Sequence, residues 1–297
     1  MCTTLLLIYI MIFKINKKNI KCYNFHIAYP LLTYSRIFTW FIKKPIFVTE
    51  HWSAYHFNFG MNKKLKRIQR IFKNKKLKLI CVSNALANDI KNYSETNLDI
   101  DVLYNVVDEK VFKYENRLKT SNSFFLVSYW KSPKNPFIII KACHQLKENL
   151  NLKFSLRIAG EGPLIDKMKK MVKDYNLDDS VTFLGTMSSK EIANEMNSST
   201  YFIHNSNYET FSVVCAEALM CGTPVIASNV GAIPEYLTND MGVLVDDNTV
   251  ENWEKTLLDA LNNNYIFDNE KIAKSAKKSF SKEIIGQKYN AILNGEN

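Results

Sequence analysis

The stretch Tyr201-Phe202-Ile203-His204-Asn205-Ser206-Asn207-Tyr208-Glu209-Thr210-Phe211-Ser212-Val213-Val214-Cys215-Ala216-Glu217-Ala218-Leu219-Met220-Cys221-Gly222-Thr223-Pro224-Val225 decides the fold class. The apolar run ending at His204 reads as a buried strand, residues 205–210 as a polar loop, and the apolar spacing from Phe211 to Met220 as a helix. Cys221-Gly222-Thr223-Pro224 stops that helix. Glycine suits a left-handed residue beyond a helix end, and proline cannot continue one. Residues 225–227 form the next buried strand, and Gly231 opens the turn beyond it. Strand, helix and strand in this order imply parallel pairing.

The same stretch has the makings of an anion site. The first turn of the helix, expected at Phe211, Ser212 and Val213, offers unpaired N–H groups that suit a pyrophosphate, aided by the helix dipole. Glu217, deeper on the helix, can accept both hydroxyls of a ribose, as an acidic residue does in dinucleotide-binding folds. Glu209, ahead of the helix, would reach past the phosphates to a sugar ring. Solvated surface acids would leave the same letters, but Glu217 stands between Ala216 and Ala218 among Val213, Val214 and Leu219, which disfavours a solvated role.

Working outward, short apolar runs alternate with longer stretches of helical spacing. Strands are expected at residues 20–25, 46–49, 79–83 and 100–104 in the first half. Six more are expected at 124–128, 154–159, 181–184, 201–204, 225–227 and 243–245 in the second. Helices fall at 31–42, 62–75 and 85–93, then at 136–150, 164–175, 190–196, 211–220 and 250–261, with two more over 270–293. This alternation predicts an α/β protein with parallel sheets covered on both faces. A polar, charged stretch from Asn105 to Asn122 marks a boundary. We therefore expect a first domain over 1–107, a second over 108–280, and a C-terminal helix over 281–297 packing back on the first. The first domain is short for a doubly wound fold, with four strands against six.

Composition narrows the partners. The chain has 297 residues, 46% of them hydrophobic, a formal charge of +10 and a pI near 9.1. A packed core is therefore within reach, and global disorder is excluded. The excess of Lys and Arg favours an anionic partner or simply a soluble surface. No nucleic-acid-binding motif is present. The six cysteines lie in apolar contexts without a Cys-x-x-Cys pair, which predicts reduced, buried thiols in a cytoplasmic protein and no zinc site. The apolar run at 5–13 is too short to span a bilayer, which takes about 20 residues, and it lacks the flanks of a signal peptide. It reads as a buried helix or strand. Asp99-Ile100-Asp101 opens a strand rather than following one, so it is not taken as a metal–nucleotide site.

Here the chain resembles a known family. Glu209-Thr210-Phe211 through Glu217-Ala218-Leu219, followed by Cys221-Gly222-Thr223-Pro224-Val225, Gly231 and Pro234-Glu235, resembles the E-x7-E signature of retaining GT-B glycosyltransferases, family 4. Asn105, Val107, Asp108 and Phe112 resemble that family's inter-domain segment, with Val106 in place of the usual glycine. Arg157-Ile158-Ala159-Gly160-Glu161-Gly162-Pro163-Leu164 resembles its strand-to-glycine-loop segment. Residues 181–185, Ser206 and residues 280–289 match as well, so the likeness runs from about Pro45 to Leu293.

The resemblance implies two Rossmann-like domains facing across a cleft, the N-terminal one incomplete. It also implies a hexosyltransferase-type enzyme that moves a sugar from a nucleotide diphosphate sugar to an acceptor hydroxyl with retention, in cell-surface polysaccharide or glycolipid synthesis. Glu209 would contact the donor sugar, Glu217 the ribose, and the amides of Phe211, Ser212 and Val213 the diphosphate. Lys134 matches the family's phosphate-binding lysine. A cation there offsets charge on the departing diphosphate; the alternative is an ordinary lysine at a helix start, where the dipole slightly disfavours a cation, and that mismatch favours a bound anion. Tyr129 stands where the family usually has an arginine, so one hydrogen-bond donor replaces a charge. Gly160 and Gly162 would let the backbone pass close to the nucleotide. His51, in Thr49-Glu50-His51-Trp52-Ser53, matches a strand-end histidine near the donor sugar and acceptor, and His26 matches another. No cofactor or metal is expected.

Lys63, Lys64, Lys66, Arg67, Arg70, Lys73, Lys75, Lys76 and Lys78 interleave with Leu65, Ile68, Ile71 and Phe72 at helical spacing. A basic amphipathic helix of this kind fits anionic lipid headgroups at the inner face of a membrane and a lipid-linked glycan acceptor. A solvated helix packed by its apolar stripe fits the same letters. The alternative to a transferase is a catalytically inactive remnant that still binds nucleotide sugar, suggested by the short first domain.

Overall fold

A computed structural model describes residues 20–34, 39–40, 42–57, 62–150 and 152–296. The run at 5–13 and Cys2 lie outside these residues. The chain divides into two compact units, one of Met1–Tyr104 with Gly286–Asn297, the other of Asn105–Ile285.

The first unit is built on a four-stranded sheet of β1 (Tyr23–His26), β2 (Ile46–Glu50), β3 (Leu77–Cys81) and β4 (Ile100–Val102), in that spatial order. All pairings are parallel, and Phe25, Val48, Leu79 and Ile100 lie side by side across the sheet. Every residue of β2 is buried, as expected of a central parallel strand. The connections carry α1 (Ala54–Phe57), α2 (Asn62–Phe72) and α3 (Asn84–Ser94). Ser83 caps α3 by accepting the Leu86 N–H at 3.1 Å.

One local expectation needs correction, and one open alternative is decided. Residues 31–34 form a 3-10 turn rather than the start of an α-helix, because Leu32 at φ −91°, ψ 15° breaks the helical run; residues 35–38 and 41 lie outside the described set. In α2, Ile68, Ile71 and Phe72 are all buried in the unit's own core, so these members of the apolar stripe are used in packing, while Lys66, Arg67 and Arg70 are exposed. The side chains of residues 62–65 lie outside the described set.

The second unit holds six parallel strands, β5 (Thr120–Val127), β6 (Ser155–Ala159), β7 (Val181–Gly185), β8 (Ser199–His204), β9 (Val225–Ser228) and β10 (Gly242–Val245). Their spatial order is β7-β6-β5-β8-β9-β10, so the winding reverses between β5 and β8. This is the doubly wound order of nucleotide-binding sheets, whose ligands bind outside the carboxyl ends of the strands at the reversal. The flanking helices are α4 (Pro136–Leu150), α5 (Ile165–Asp174), α6 (Ser189–Ser198), α7 (Val213–Met220), α8 (Val250–Leu261) and α9 (Asn269–Phe280), followed by α10 (Lys282–Asn294). Pro136 opens α4, where its missing N–H costs nothing. Ser188 and Glu191 form a capping box on α6, and Thr249 and Asp268 cap α8 and α9. Phe124, Leu126, Leu156, Ile158, Ile203 and Trp253 belong to the continuous core beneath the sheet. The α/β class, and four and then six strands among the described residues, follow the sequence reading.

Candidate active site

The reversal between β5 and β8 is where a strand-end loop from each side can meet. After β5 the chain runs through Ser128, Tyr129 and Trp130 to Lys134. Trp130 is buried and anchors this loop: its indole N–H donates to the Ala159 carbonyl at 2.8 Å and its backbone N–H to Glu161 at 2.7 Å. After β8 the chain runs through Asn205 and Ser206 to Glu209. The two loops pair with each other through a bridge between Lys134 and Ser206, an Asn135 N–H to Asn205 carbonyl bond of 3.3 Å and an Asn207 N–H to Pro133 carbonyl bond of 3.0 Å.

That pairing brings Lys134 onto Glu209. The Lys134 ammonium donates to Glu209 Oε1, and His204 Nε2 lies 2.9 Å from the same oxygen. Glu209 Oε2 makes no hydrogen bond among the described residues. Burial alone would raise the Glu209 carboxyl, but His204 and Lys134 outweigh it and hold it at about 2. Burial, with the Lys134 charge beside it, pushes His204 below the usual histidine range, so the ring is neutral near pH 7. The carboxylate then selects the tautomer with the proton on Nε2. Ser212 Oγ sits 3.2 Å from the same nitrogen and donates to Cys215 Sγ. His204, 3% exposed at the last position of β8, is therefore the hub of the cluster. Sequence reasoning missed it: it ends an apolar strand, and its partners are scattered along the chain.

Gly231 fixes Glu209 from behind. It has φ +54°, and a Cβ there would run into the Glu209 backbone. The next amide, Ala232 N–H, donates to the Glu209 carbonyl at 3.0 Å.

The anion-binding turn differs from expectation. Helix α7 begins at Val213, not Phe211, and Ser212 is its left-handed N-cap at φ 67°. The cause is Phe211: it is buried against Tyr236 and Phe280, at ring centroid distances of 5.3 and 5.8 Å, which takes it off the helix. Tyr236 OH donates to the Phe211 and Ser212 carbonyls. The Ser212 and Val213 amides have no hydrogen-bond partner among the described residues. Among the described residues Glu217, partly covered on α7, has no hydrogen-bond or ion-pair partner, and burial raises its carboxyl to about 7.

The remaining expected residues fall in several places. Ser206 is fully buried, and its hydroxyl donates to the Tyr208 carbonyl at 2.9 Å, which makes it part of the loop scaffold. Gly160 and Gly162 have φ +99° and +142°, and their missing side chains make room for the Ser128 and Trp130 backbones. Glycine is thus required there by the neighbouring loop. Tyr129 is 54% exposed, with the Lys131 ammonium over its ring at 5.4 Å. His51 belongs to the first unit, at the end of β2, where its Nε2 lies 3.1 Å from Nδ1 of His26 and the two rings stack. Burial and the neighbouring His26 lower the His51 pKa. Among the described residues no three His, Cys, Asp or Glu side chains are grouped to hold a metal ion. The five described cysteines are free thiols, four of them buried. No described helix is long and apolar enough to cross a membrane.

Residues 107–279 match the family described as Glycosyl transferases group 1. The N-acetyl-alpha-D-glucosaminyl L-malate synthase of Bacillus anthracis is 26% identical over 223 residues, 71% of this chain and 58% of that protein. The O-antigen chain mannosyltransferase RfbU of Salmonella typhimurium is 26% identical, covering 87% of this chain and 72% of that protein. The chain thus spans little more than half the length of the Bacillus relative. Among solved structures, Anabaena HepE in complex with UDP superposes with a TM-score of 0.80 at 17% identity, covering 92% of this chain and 79% of that one. Sucrose-phosphate synthase of Thermosynechococcus elongatus gives 0.77 at 18% identity, covering 94% and 75%. The fold is that of the GT-B glycosyltransferases, and with more than half its length matched, the chain belongs to the Glycosyl transferases group 1 family.

Proposed function

We propose that the protein transfers a hexosyl group from a nucleotide diphosphate sugar to an acceptor hydroxyl, with retention, in the synthesis of a cell-surface polysaccharide or glycolipid. One observation carries the reading: at the strand-order reversal, Lys134 and Glu209 meet with one carboxylate oxygen bare, and α7 beside them carries an unpaired acid, Glu217.

Each group has a task in this reading. The Ser212 and Val213 amides and the dipole of α7 hold the diphosphate. Lys134 offsets the charge that builds on the departing nucleoside diphosphate. Glu209, anchored through Oε1, offers Oε2 to hydroxyls of the donor sugar. Glu217 accepts the ribose hydroxyls. Tyr129, Gly160, Gly162 and Ser206 shape the surrounding loops, with Tyr129 offering one further donor. His51 supplies a polar group to the reaction. No metal or cofactor is needed, because amides and Lys134 meet the negative charge. The exposed cations of α2 and the segment after it suit a cytoplasmic protein resting on an anionic membrane face, close to a lipid-linked acceptor.

Support also comes from the HepE complex, whose ligand is UDP. The test is Glu209→Ala, assayed with UDP- and GDP-sugars and a panel of glycan and lipid acceptors. We expect loss of transfer with the fold retained, and unchanged turnover refutes the role of Glu209. Donor binding by the unaltered chain without product from any acceptor would favour the non-catalytic reading instead.

A further inference from the structure

Glu50, the last residue of β2, is fully buried, and no cation pairs with it among the described residues. Burial raises its carboxyl, and an acid in that position is costly unless hydrogen bonds compensate it. Its Oε1 accepts the Ala28 N–H at 2.6 Å and the Tyr55 hydroxyl at 2.8 Å. The amides of His51 and Trp52 also bear on the carboxylate, while Oε2 has no hydrogen-bond partner among the described residues. Glu50 therefore ties together the turn after β1, the turn after β2 and the start of α1.

The turn after β1 needs such a tie. Ile27 has φ 69°, a conformation that costs a β-branched residue about 1–2 kcal/mol or more. It is held between the Ile27 N–H to Thr49 carbonyl bond of 2.9 Å and the Ala28 N–H to Glu50 bond. Immediately before this strained residue is His26, and immediately after Glu50 is His51. Their rings stack with centroids 5.4 Å apart and planes 17° apart. The strain is local, and the two groups it brings into register are the histidine rings.

We infer that Glu50 is a positioning residue for His51, clamping the ends of β1 and β2 so that the two histidine rings meet. This rests on the proposed role of His51 in transfer. A merely space-filling group would be replaced by leucine without effect on the rings.

The test uses the full chain with UDP-glucose and GDP-mannose as probes, nucleoside diphosphate release as the rate, and ring NMR titration of the histidines, His51 being assigned with a His51→Gln variant. Glu50→Leu should lower kcat about tenfold or more with donor KM moved less than about threefold. It should also return the His51 titration toward 6.5 from its lowered value. Glu50→Gln, which keeps an acceptor for Ala28 and Tyr55, should recover most of both losses. Unchanged His51 titration and kcat in Glu50→Leu, or no recovery in Glu50→Gln, overturns the inference. Should Glu50→Leu fail to fold, Tyr55→Phe decides: it removes one of the two bonds to Oε1 and should move the His51 titration in the same direction, and no movement overturns the inference. His51→Ala separates the two readings. If it leaves the rate unchanged, the catalytic role of His51 falls, whereas the NMR shift in Glu50→Leu still reports on the clamp.

Discussion

Replacing Glu217 with glutamine should make the protein more stable and a poorer donor binder, each effect with its own pH signature. The carboxyl rises from 4.5 to about 7 because α7 covers it without giving it a partner. Between those values the folded chain binds a proton that the unfolded chain releases. Stability is therefore fullest below pH 4.5 and falls as pH rises toward 7. The displacement corresponds to about 3 kcal/mol at most. The side chain is only partly covered, so solvent screening reduces this to about 1–2 kcal/mol. Urea unfolding followed by tryptophan fluorescence should show Glu217→Gln more stable by that amount at pH 8.5 and within about 0.5 kcal/mol of the parent at pH 4.5. Donor binding runs the other way. Calorimetry with UDP-glucose and GDP-mannose should show the parent's affinity falling about tenfold from pH 8 to pH 6, since the ribose needs the ionised acceptor. The variant should be flat with pH and weaker by about 1.5–3 kcal/mol at pH 8, the worth of a charged hydrogen bond. A stability difference that does not vary with pH, or a variant that binds donor as tightly as the parent at pH 8, refutes the reasoning.

Three further outcomes are expected. His204→Phe should cut turnover at least about tenfold while costing about 1 kcal/mol or less at pH 7. Because burial lowers the His204 pKa, the parent loses stability as pH falls through 6.5, and in urea titrations the variant should lose less; an equal acid loss counts against a buried neutral ring. Gly231→Ala should lower stability by more than the ~1–2 kcal/mol of its left-handed backbone alone, because the added Cβ also meets the Glu209 backbone. It should also lower turnover by more than that stability change explains, because the added Cβ displaces Glu209; a purely thermal effect would undo this account. Charge reversal at Lys66, Arg67 and Arg70 should abolish sedimentation with vesicles containing phosphatidylserine and leave the melting temperature within a few degrees, whereas unchanged sedimentation removes α2 from the membrane proposal.

The sequence was legible wherever one physical pattern dominates. Alternating buried strands and helices of 3.6-residue spacing locate all ten described strands, and α4 and α8 match their expected bounds residue for residue. Glu209 and Glu217 could be singled out because their residue type sits at revealing offsets around a helix start, and Lys134 through the family resemblance. What stayed hidden depends on contacts distant in sequence. Phe211 looks like the first turn of a helix, yet an aromatic cluster with Tyr236 and Phe280 draws it out. The reason for Gly160 lies in Ser128, a residue on another strand end. Helix α1 has four residues, too few for any periodicity to register. Ile27 in a left-handed conformation runs against its own preference, and the bonds that hold it, to Thr49 from its own amide and to Glu50 from the next, reach a strand more than twenty residues away.

The Trp130 anchor has one more consequence. By fastening the β5 loop to its neighbours through backbone and indole bonds, it leaves Tyr129 and Lys131 exposed on a fixed support. Substituting either exposed side chain leaves in place the backbone bonds that lead to Lys134. The two positions form an adjustable margin where charge and stacking can be retuned without rebuilding the machinery beneath.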